Sequence, residues 1–145
     1  MEENTGIVSL PHSYFVRNDE DKQVGKPFSL KDAFLCAARG FAFVFSSQRN
    51  MKIHAVFILL ALVLGFVLSI PLSSWIAIVL CFALVLGAEC INTALESLVD
   101  LVSPNYHRLA QNAKDCAAAA VLISAIVSLV VAVLVFGSAL GKYLM

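Results

Sequence analysis

Three long apolar runs constrain this 145-residue chain more than any other feature. They cover residues 53–70, 75–101 and 113–140, and a helix needs about 20 apolar residues to cross a bilayer. Residues 53–88 contain no Asp, Glu, Lys or Arg. Hydrophobic residues make up 60% of the chain, against about 45–50% in soluble domains. The sequence therefore predicts an all-α membrane protein, a helical bundle with three transmembrane helices.

The charged residues indicate how this bundle is oriented. Ten basic and ten acidic residues cancel, so nothing favours a nucleic-acid partner and we predict none. Most of the basic residues precede the first apolar run, and the positive-inside rule then places the N-terminus and the region around Arg108 and Lys114 in the cytoplasm. With three spans, the C-terminus is predicted outside.

Two segments precede the first apolar run. Residues 1–28 are polar and mixed in charge, which is typical of a disordered tail. In residues 29–47, SLKDAFLCAARGFAFVFSS, apolar residues recur at helical spacing but charged residues interrupt them. This pattern predicts an amphipathic helix at the cytoplasmic interface, with Ser29 as its N-cap. The remaining domain, residues 29–145, is predicted to be one unit.

Cysteine spacing gives no sign of a metal or disulfide framework. No C-x-x-C pair occurs, and we interpret the cysteines as small apolar packing residues: Cys36, Cys81, Cys90 and Cys116.

A stripe of polar side chains ends the second apolar run, in the stretch GAECINTALESLVD. On a helix, Glu96 and Asp100 lie within about 20° of Glu89, and Asn92 about 60° from it. Glu89 is about 16 Å along the axis from Asp100, deep enough to cost several kcal/mol unless it faces protein, a cation or a substrate. A charged helix end explains Asp100 and Glu96, but it does not explain Glu89 with Asn92.

The third apolar run begins with a second polar pair, Lys114 and Asp115. A lysine at the membrane surface is commonly only an anchor, but beside the acidic stripe it indicates a polar pocket. Carboxylates there could hold Mg²⁺ that bridges substrate phosphates, and Lys114 could offset phosphate charge. The sequence contains neither a G-x-x-x-x-G-K-[ST] loop nor a kinase glycine loop. A nucleotide site would have to be built differently.

Three stretches resemble one family. ECINTALESLVD, residues 89–100, followed by YHRLAQNAKD, residues 106–115, resembles the signature of the small prokaryotic diacylglycerol kinase and undecaprenol kinase family. QRNMKIH, residues 48–54, is similar to the start of that family's first span. The resemblance implies a homotrimer in the bacterial cytoplasmic membrane, with an interfacial helix and active sites shared between protomers. It also implies transfer of the ATP γ-phosphoryl group to a lipid alcohol, undecaprenol or diacylglycerol, with Mg²⁺.

The resemblance also implies roles for individual residues. Glu89 matches the catalytic base, Glu96 matches a carboxylate that binds metal and nucleotide, and Asn92 and Asp100 match the supporting polar stripe. The predicted nucleotide contacts are Tyr106 and His107 in a covering loop, and Lys114 and Asp115 at the phosphates and sugar. The family's second metal-binding acid falls at Gln48, which offers only a neutral carbonyl. His107 is alternatively an exposed loop histidine without a role.

Three functions remain open on this basis. An active lipid kinase is the first, and a catalytically weakened relative that binds lipid or acts as a scaffold is the second. A small transporter or proton-relay protein is the third, since intramembrane acids also mark those. Transporters commonly contain paired or broken spans, and three intact helices do not match that pattern.

Overall fold

The computed structural model describes residues 29–144, and every regular element in that range is a helix. The helices are α1 (Leu30–Ser47), α2 (Arg49–Val67), α3 (Leu72–Val102) and α4 (Arg108–Leu144). This confirms the predicted all-α class. The polar tail predicted for residues 1–28 lies outside the described residues.

Three of these helices are long and apolar enough to cross a membrane: α2, α3 and residues 108–142 of α4. α3 and α4 extend beyond their predicted runs at both ends, whereas α2 begins before its run and ends at Val67, before residue 70. The extensions arise because helical hydrogen bonding continues through polar turns of good helix formers. The largest difference is in SPNYHRLAQN, which was predicted to be loop throughout. That prediction was wrong for residues 108–112, which form the first turn of α4.

The start of α1 is closed by a reciprocal pair of hydrogen bonds between Ser29 and Asp32. The backbone N–H of Asp32 donates to Ser29 Oγ at 3.2 Å, and the backbone N–H of Ser29 donates to Asp32 Oδ2 at 3.2 Å. Ser29 Oγ also donates to Asp32 Oδ2 at 2.7 Å. This is a capping box. The hydrogen bonds from the Ser29 side chain, and then from its backbone, lower the pKa of Asp32 from 3.8.

The connection between α2 and α3 is tighter than the sequence indicated. The turn was expected at residues 71–74, but α3 already begins at Leu72 and the turn lies before it. Ile70 N–H donates to Gly65 O at 3.1 Å and Ser69 N–H to Phe66 O at 3.2 Å, which is a Schellman motif. Ser69 takes the left-handed conformation that this motif requires, with φ of 46°.

The Trp75 side chain of α3 packs against the end of α2 at this connection. The Trp75 ring packs on Phe66 with centroids 4.9 Å apart. It also lies directly over Gly65, where an added Cβ would come within 2.6 Å of the indole. α2 and α3 therefore form a helical hairpin whose turn has little room for a larger side chain.

The core of the bundle lies mainly between α3 and α4. Its buried side chains are Ile78, Cys81 and Val85 on α3, and Ala117, Val121 and Ser124 on α4. Of the alanines at residues 117–120, which were predicted to permit close helix approach, Ala117 is the buried one. Cys81 is the one buried cysteine among the described residues, while Cys36 and Cys116 are exposed. The packing interpretation therefore fits Cys81 best.

Candidate functional site

Glu89 is almost completely enclosed by protein. Only 1% of its surface is exposed, and Oε1 has no hydrogen bond from the residues that the structure describes. His54 Nε2 lies 3.3 Å from this oxygen, within ion-pair distance. The two atoms are not hydrogen-bonded in the structure, so the contact is close but unbonded. A buried carboxylate oxygen without a hydrogen bond is costly, which makes it a candidate for function.

Glu96 lies further along the same face of α3 and is held by two amides. Asn92 Nδ2 donates to Glu96 Oε1 at 3.1 Å, and Gln48 Nε2 donates to Glu96 Oε2 at 3.2 Å. Gln48 is the N-cap residue of α2, so this contact connects the start of α2 to α3. The buried Asn92 Oδ1 has no hydrogen-bond partner among the described residues. Both amides thus turn their nitrogens to the carboxylate.

These side chains suit a metal that arrives with its substrate better than a permanent metal site. The described residues contain no group of three or more His, Cys, Asp or Glu side chains placed to hold a metal. The oxygen donors present are the Glu96 carboxylate, the unpartnered Asn92 Oδ1 and the amide oxygen of Gln48. Mg²⁺ takes one or two carboxylates together with substrate phosphates and water. The donor set therefore fits Mg²⁺ carried on a phosphate group.

A polar cavity of about 370 Å³ opens where α3, the following loop and the start of α4 meet. At its edge Lys114 Nζ lies 2.5 Å from Asp100 Oδ1. The pair is substantially exposed, so it contributes at most about 1 kcal/mol to stability. The lining also includes Tyr106, His107 and Asp115, which were predicted to contact the nucleotide, and Gln111.

The histidine in this loop also has a structural role. His107 Nδ1 accepts a hydrogen bond from Leu109 N–H at 3.2 Å, and its carbonyl accepts one from Gln111 N–H at 3.0 Å. His107 therefore caps the start of α4. The capping explains why the helix starts at Arg108, earlier than the sequence predicted.

A second cavity, of about 340 Å³, lies between α2, α3 and α4 and is almost entirely apolar. Ile53, Phe57, Ile78 and Val85 are among its lining side chains, and His54 contributes the imidazole. The same His54 side chain that lies beside Glu89 therefore also borders this cavity. Its walls suit a hydrocarbon chain better than a nucleotide.

The predicted residues thus fall into three groups. Gln48 and Asn92 both donate hydrogen bonds to Glu96. The Asp100–Lys114 pair borders the loop cavity, and Glu89 lies within ion-pair distance of His54. Burial decreases along the stripe, from Glu89 to the exposed Asp100. Sequence reasoning missed His54, although a histidine within an apolar span is itself a signal that a polar partner is near.

Three spans of membrane length and a graded polar stripe at one end of α3 define the chain as a helical membrane protein with a buried acidic site. A sequence model of prokaryotic diacylglycerol kinase matches residues 35–136. The chain therefore belongs to the prokaryotic diacylglycerol kinase family, a family of lipid kinases.

Individual relatives agree with this assignment. An undecaprenol kinase of Bacillus subtilis is 35% identical over 104 residues, which cover 72% of this chain and 85% of that protein. A diacylglycerol kinase of Synechocystis is 40% identical over 100 residues, or 68% of this chain and 57% of that protein. The diacylglycerol kinase of Escherichia coli K12 is 30% identical over 92 residues, or 63% of this chain and 75% of the relative.

Proposed function

We propose that this lipid kinase transfers the γ-phosphoryl group of ATP to the hydroxyl of a membrane lipid, undecaprenol or diacylglycerol. The reaction takes place at the cytoplasmic face of a bacterial inner membrane. The observation that carries the proposal is the buried Glu89 carboxylate, whose Oε1 has no hydrogen bond from the described residues. Glu89 is the most buried residue of the polar stripe, which ends with Asp100 at the loop cavity, and it lies 3.3 Å from His54, which lines the apolar cavity.

Glu89 is the general base in this proposal. Its carboxylate takes the proton of the lipid hydroxyl while the hydroxyl oxygen attacks the γ-phosphorus. The bond from the γ-phosphorus to the bridging oxygen breaks, and ADP leaves with that oxygen. Base catalysis of this kind contributes about 10²- to 10⁴-fold to a rate. The enclosure of Glu89 supports the role, because water is excluded from the attacking position.

The nucleotide occupies the loop cavity. Lys114 offsets phosphate charge as a compact cation, and its present partner Asp100 holds it at the cavity edge. Tyr106 and His107 cover the nucleotide, and Asp115 accepts hydrogen bonds from the sugar. Phosphoryl transfer depends mainly on such positioning and electrostatics, so no covalent intermediate is needed.

Mg²⁺ fits beside Glu96, with the amide oxygens of Asn92 and Gln48 as neutral donors. When bound, it neutralises charge on the phosphates of ATP. For Gln48 or Asn92 to turn its oxygen toward a metal at Glu96, the amide must rotate from the arrangement in which its nitrogen donates to the carboxylate. Glu96 is the carboxylate that anchors the group.

The protein assembles as a homotrimer with active sites shared between neighbouring protomers, and its N-terminus is cytoplasmic. This part of the proposal rests on membership of the family. The mass of the purified protein in detergent tests the assembly. A protease added to the outside of intact inverted vesicles tests the orientation, because it should cleave the loop around Asn105.

A second function is a lipid-binding or scaffold protein with weakened catalysis. Gln48 favours it, because the family places an acid there and a neutral amide attracts Mg²⁺ less strongly. The Glu96 carboxylate is then the single anionic metal ligand in this group.

One assay separates the two functions. The purified protein is incubated in mixed micelles with Mg²⁺, ATP and either undecaprenol or diacylglycerol, and phosphorylated lipid is counted. A kinase gives product that depends on ATP, and the lipid giving the higher kcat/KM is the substrate. A scaffold binds the lipid but gives no more product than the Glu89→Gln variant.

A further inference from the structure

His54 is a titratable residue inside an apolar span, and the proposed transfer step leaves it without a role. Its Nε2 lies 3.3 Å from Glu89 Oε1. The His54 side chain is 18% exposed, whereas the Glu89 side chain is 1% exposed. The imidazole therefore lies between a closed carboxylate and a more open part of the structure.

A general base must lose its proton before it can act again. Once Glu89 has taken the hydroxyl proton, it is a neutral carboxylic acid without direct access to water. Thr93, the hydroxyl residue one turn away, donates to the backbone oxygen of Glu89 at 2.9 Å and does not bind the carboxylate. Among residues 29–144, the side chain of His54 is the basic group within ion-pair distance of the carboxylate.

We propose that His54 relays the proton that Glu89 takes from the lipid, and so restores the carboxylate between turnovers. The inference rests on the role proposed for Glu89. The carboxylic acid O–H bond breaks as an N–H bond forms on the imidazole, which gives a carboxylate and an imidazolium. The imidazolium then releases a proton to water and becomes neutral again. His54 acts through Glu89 and does not touch the phosphate, so it is a positioning residue.

The parts of α3 and α4 that pack near His54 offer few other side chains that could take a proton from Glu89. The buried residues of α4 in the described chain, Ala117, Val121 and Ser124, have no titratable side chain. The titratable side chain that α3 contributes to the cavity bordered by His54 is Cys81. The Ser128 hydroxyl from α4 donates to the Ser124 carbonyl oxygen at 2.8 Å.

More distant charged groups are already engaged or exposed. On α4, Lys114 pairs with Asp100, and Asp115 borders the loop cavity. On α3, both oxygens of Glu96 accept amide hydrogen bonds.

The position of His54 on α2 gives the proton a short exit. Arg49 begins α2, and His54 is about 7.5 Å further along the axis at about 1.5 Å per residue. Arg49 and Lys52 are both exposed in this first part of the helix. Along α3, the first exposed residue of the polar stripe is Asp100, about 16 Å from Glu89 on the same scale. The shorter path to a polar surface therefore runs along α2.

Two substitutions separate a relay from a purely structural contact. In His54→Gln, the amide can still donate a hydrogen bond to Glu89 but cannot take its proton. In His54→Ala, the ring is removed beside the apolar cavity, which leaves space for free imidazole. The values of kcat and KM for ATP and lipid are measured for both variants in micelles. His12→Gln, outside residues 35–136, is the matched control.

A relay predicts that both His54 variants lose about 10-fold or more of kcat, because the base is restored slowly. The KM for ATP should not change, since the loop cavity is untouched. Free imidazole should raise the kcat of His54→Ala in proportion to its unprotonated concentration. It should not raise that of Glu89→Gln, where no carboxylate remains to restore.

Wild-type kcat in His54→Gln would overturn the relay while leaving the kinase function intact. A lack of imidazole rescue in folded His54→Ala would also overturn it. If His54→Ala does not fold, His54→Gln decides alone. Failure of the proposed function gives a different result, because the wild-type protein would then form no phosphorylated lipid.

Discussion

The side-chain nitrogen of Gln48 lies 3.2 Å from Glu96 Oε2, so a neutral amide at the start of α2 faces a carboxylate in the C-terminal part of α3. The amide donates to the carboxylate in this arrangement. A carboxylate at residue 48 would instead face Glu96 as a like charge, and a divalent cation between the two would remove the repulsion.

Gln48→Glu should therefore tighten Mg²⁺ binding. The added carboxylate gives the metal a second anionic ligand, and one or two carboxylates are the usual number for Mg²⁺. We expect the Mg²⁺ concentration for half-maximal activity to fall, and turnover to rise or stay level. Gln23→Glu, outside residues 35–136, controls for the added charge. An increased Mg²⁺ requirement would show that the two carboxylates repel without sharing a metal.

Glu89→Gln should lose about 10²-fold or more of kcat, because an amide keeps the volume of the side chain but cannot accept the hydroxyl proton. The protein should still fold, since the replacement relieves a buried charge. Lipid phosphorylation and elution from a sizing column are the two measurements, and Glu20→Gln is the matched control. Retention of more than about a tenth of kcat would exclude Glu89 as the base.

Lys114→Met should raise the KM for ATP about 10-fold, because a hydrogen bond to a charged group contributes about 1.5 kcal/mol or more. The KM for lipid should not change. The substitution also leaves Asp100 without its partner, which adds repulsion toward phosphate. Lys142→Met, in the last turn of α4, is the matched control. A shift in the lipid KM alone would place the nucleotide away from the loop cavity.

The polar stripe could be predicted because it depends on local geometry alone. Glu89, Asn92, Glu96 and Asp100 lie on one helix, and 3.6 residues per turn determines which face they share. The three spans were predictable for a similar reason, since their length and apolar content need no information about neighbours. Such features require only that the segment be helical.

Contacts between helices could not be predicted in the same way. The His54–Glu89 pair depends on how α2 is rotated and shifted against α3, and the nearly uniform apolar surface of α2 does not specify that rotation. The early start of α4 depends on the His107 cap, which forms only once the loop has its final conformation. The α2–α3 turn was misplaced because Ser69, where glycine is usual, occupies the left-handed position.

The contact between Gly65 and Trp75 leads to a prediction about stability. In Gly65→Ala, the added Cβ would lie 2.6 Å and 2.8 Å from two indole carbons and 3.2 Å from Ile70 Cδ1. Alanine favours a helix by about 0.8–1 kcal/mol over glycine, but overpacking costs about 1–3 kcal/mol. The overpacking cost should exceed the gain in helix propensity, because both indole atoms belong to a rigid ring that also packs on Phe66.

We therefore expect Gly65→Ala to lower the free energy of unfolding in detergent by up to about 2 kcal/mol, the overpacking cost less the gain in helix propensity. Gly137→Ala is the matched control, because an added Cβ there meets nothing within 4 Å in this chain. That substitution should stabilise the protein by up to about 1 kcal/mol through helix propensity alone. Equal stability of the two variants would contradict the close approach of Trp75 to α2. Recovery of stability in the double variant Gly65→Ala, Trp75→Phe would attribute the loss to the indole, since the smaller ring leaves space for the added methyl group.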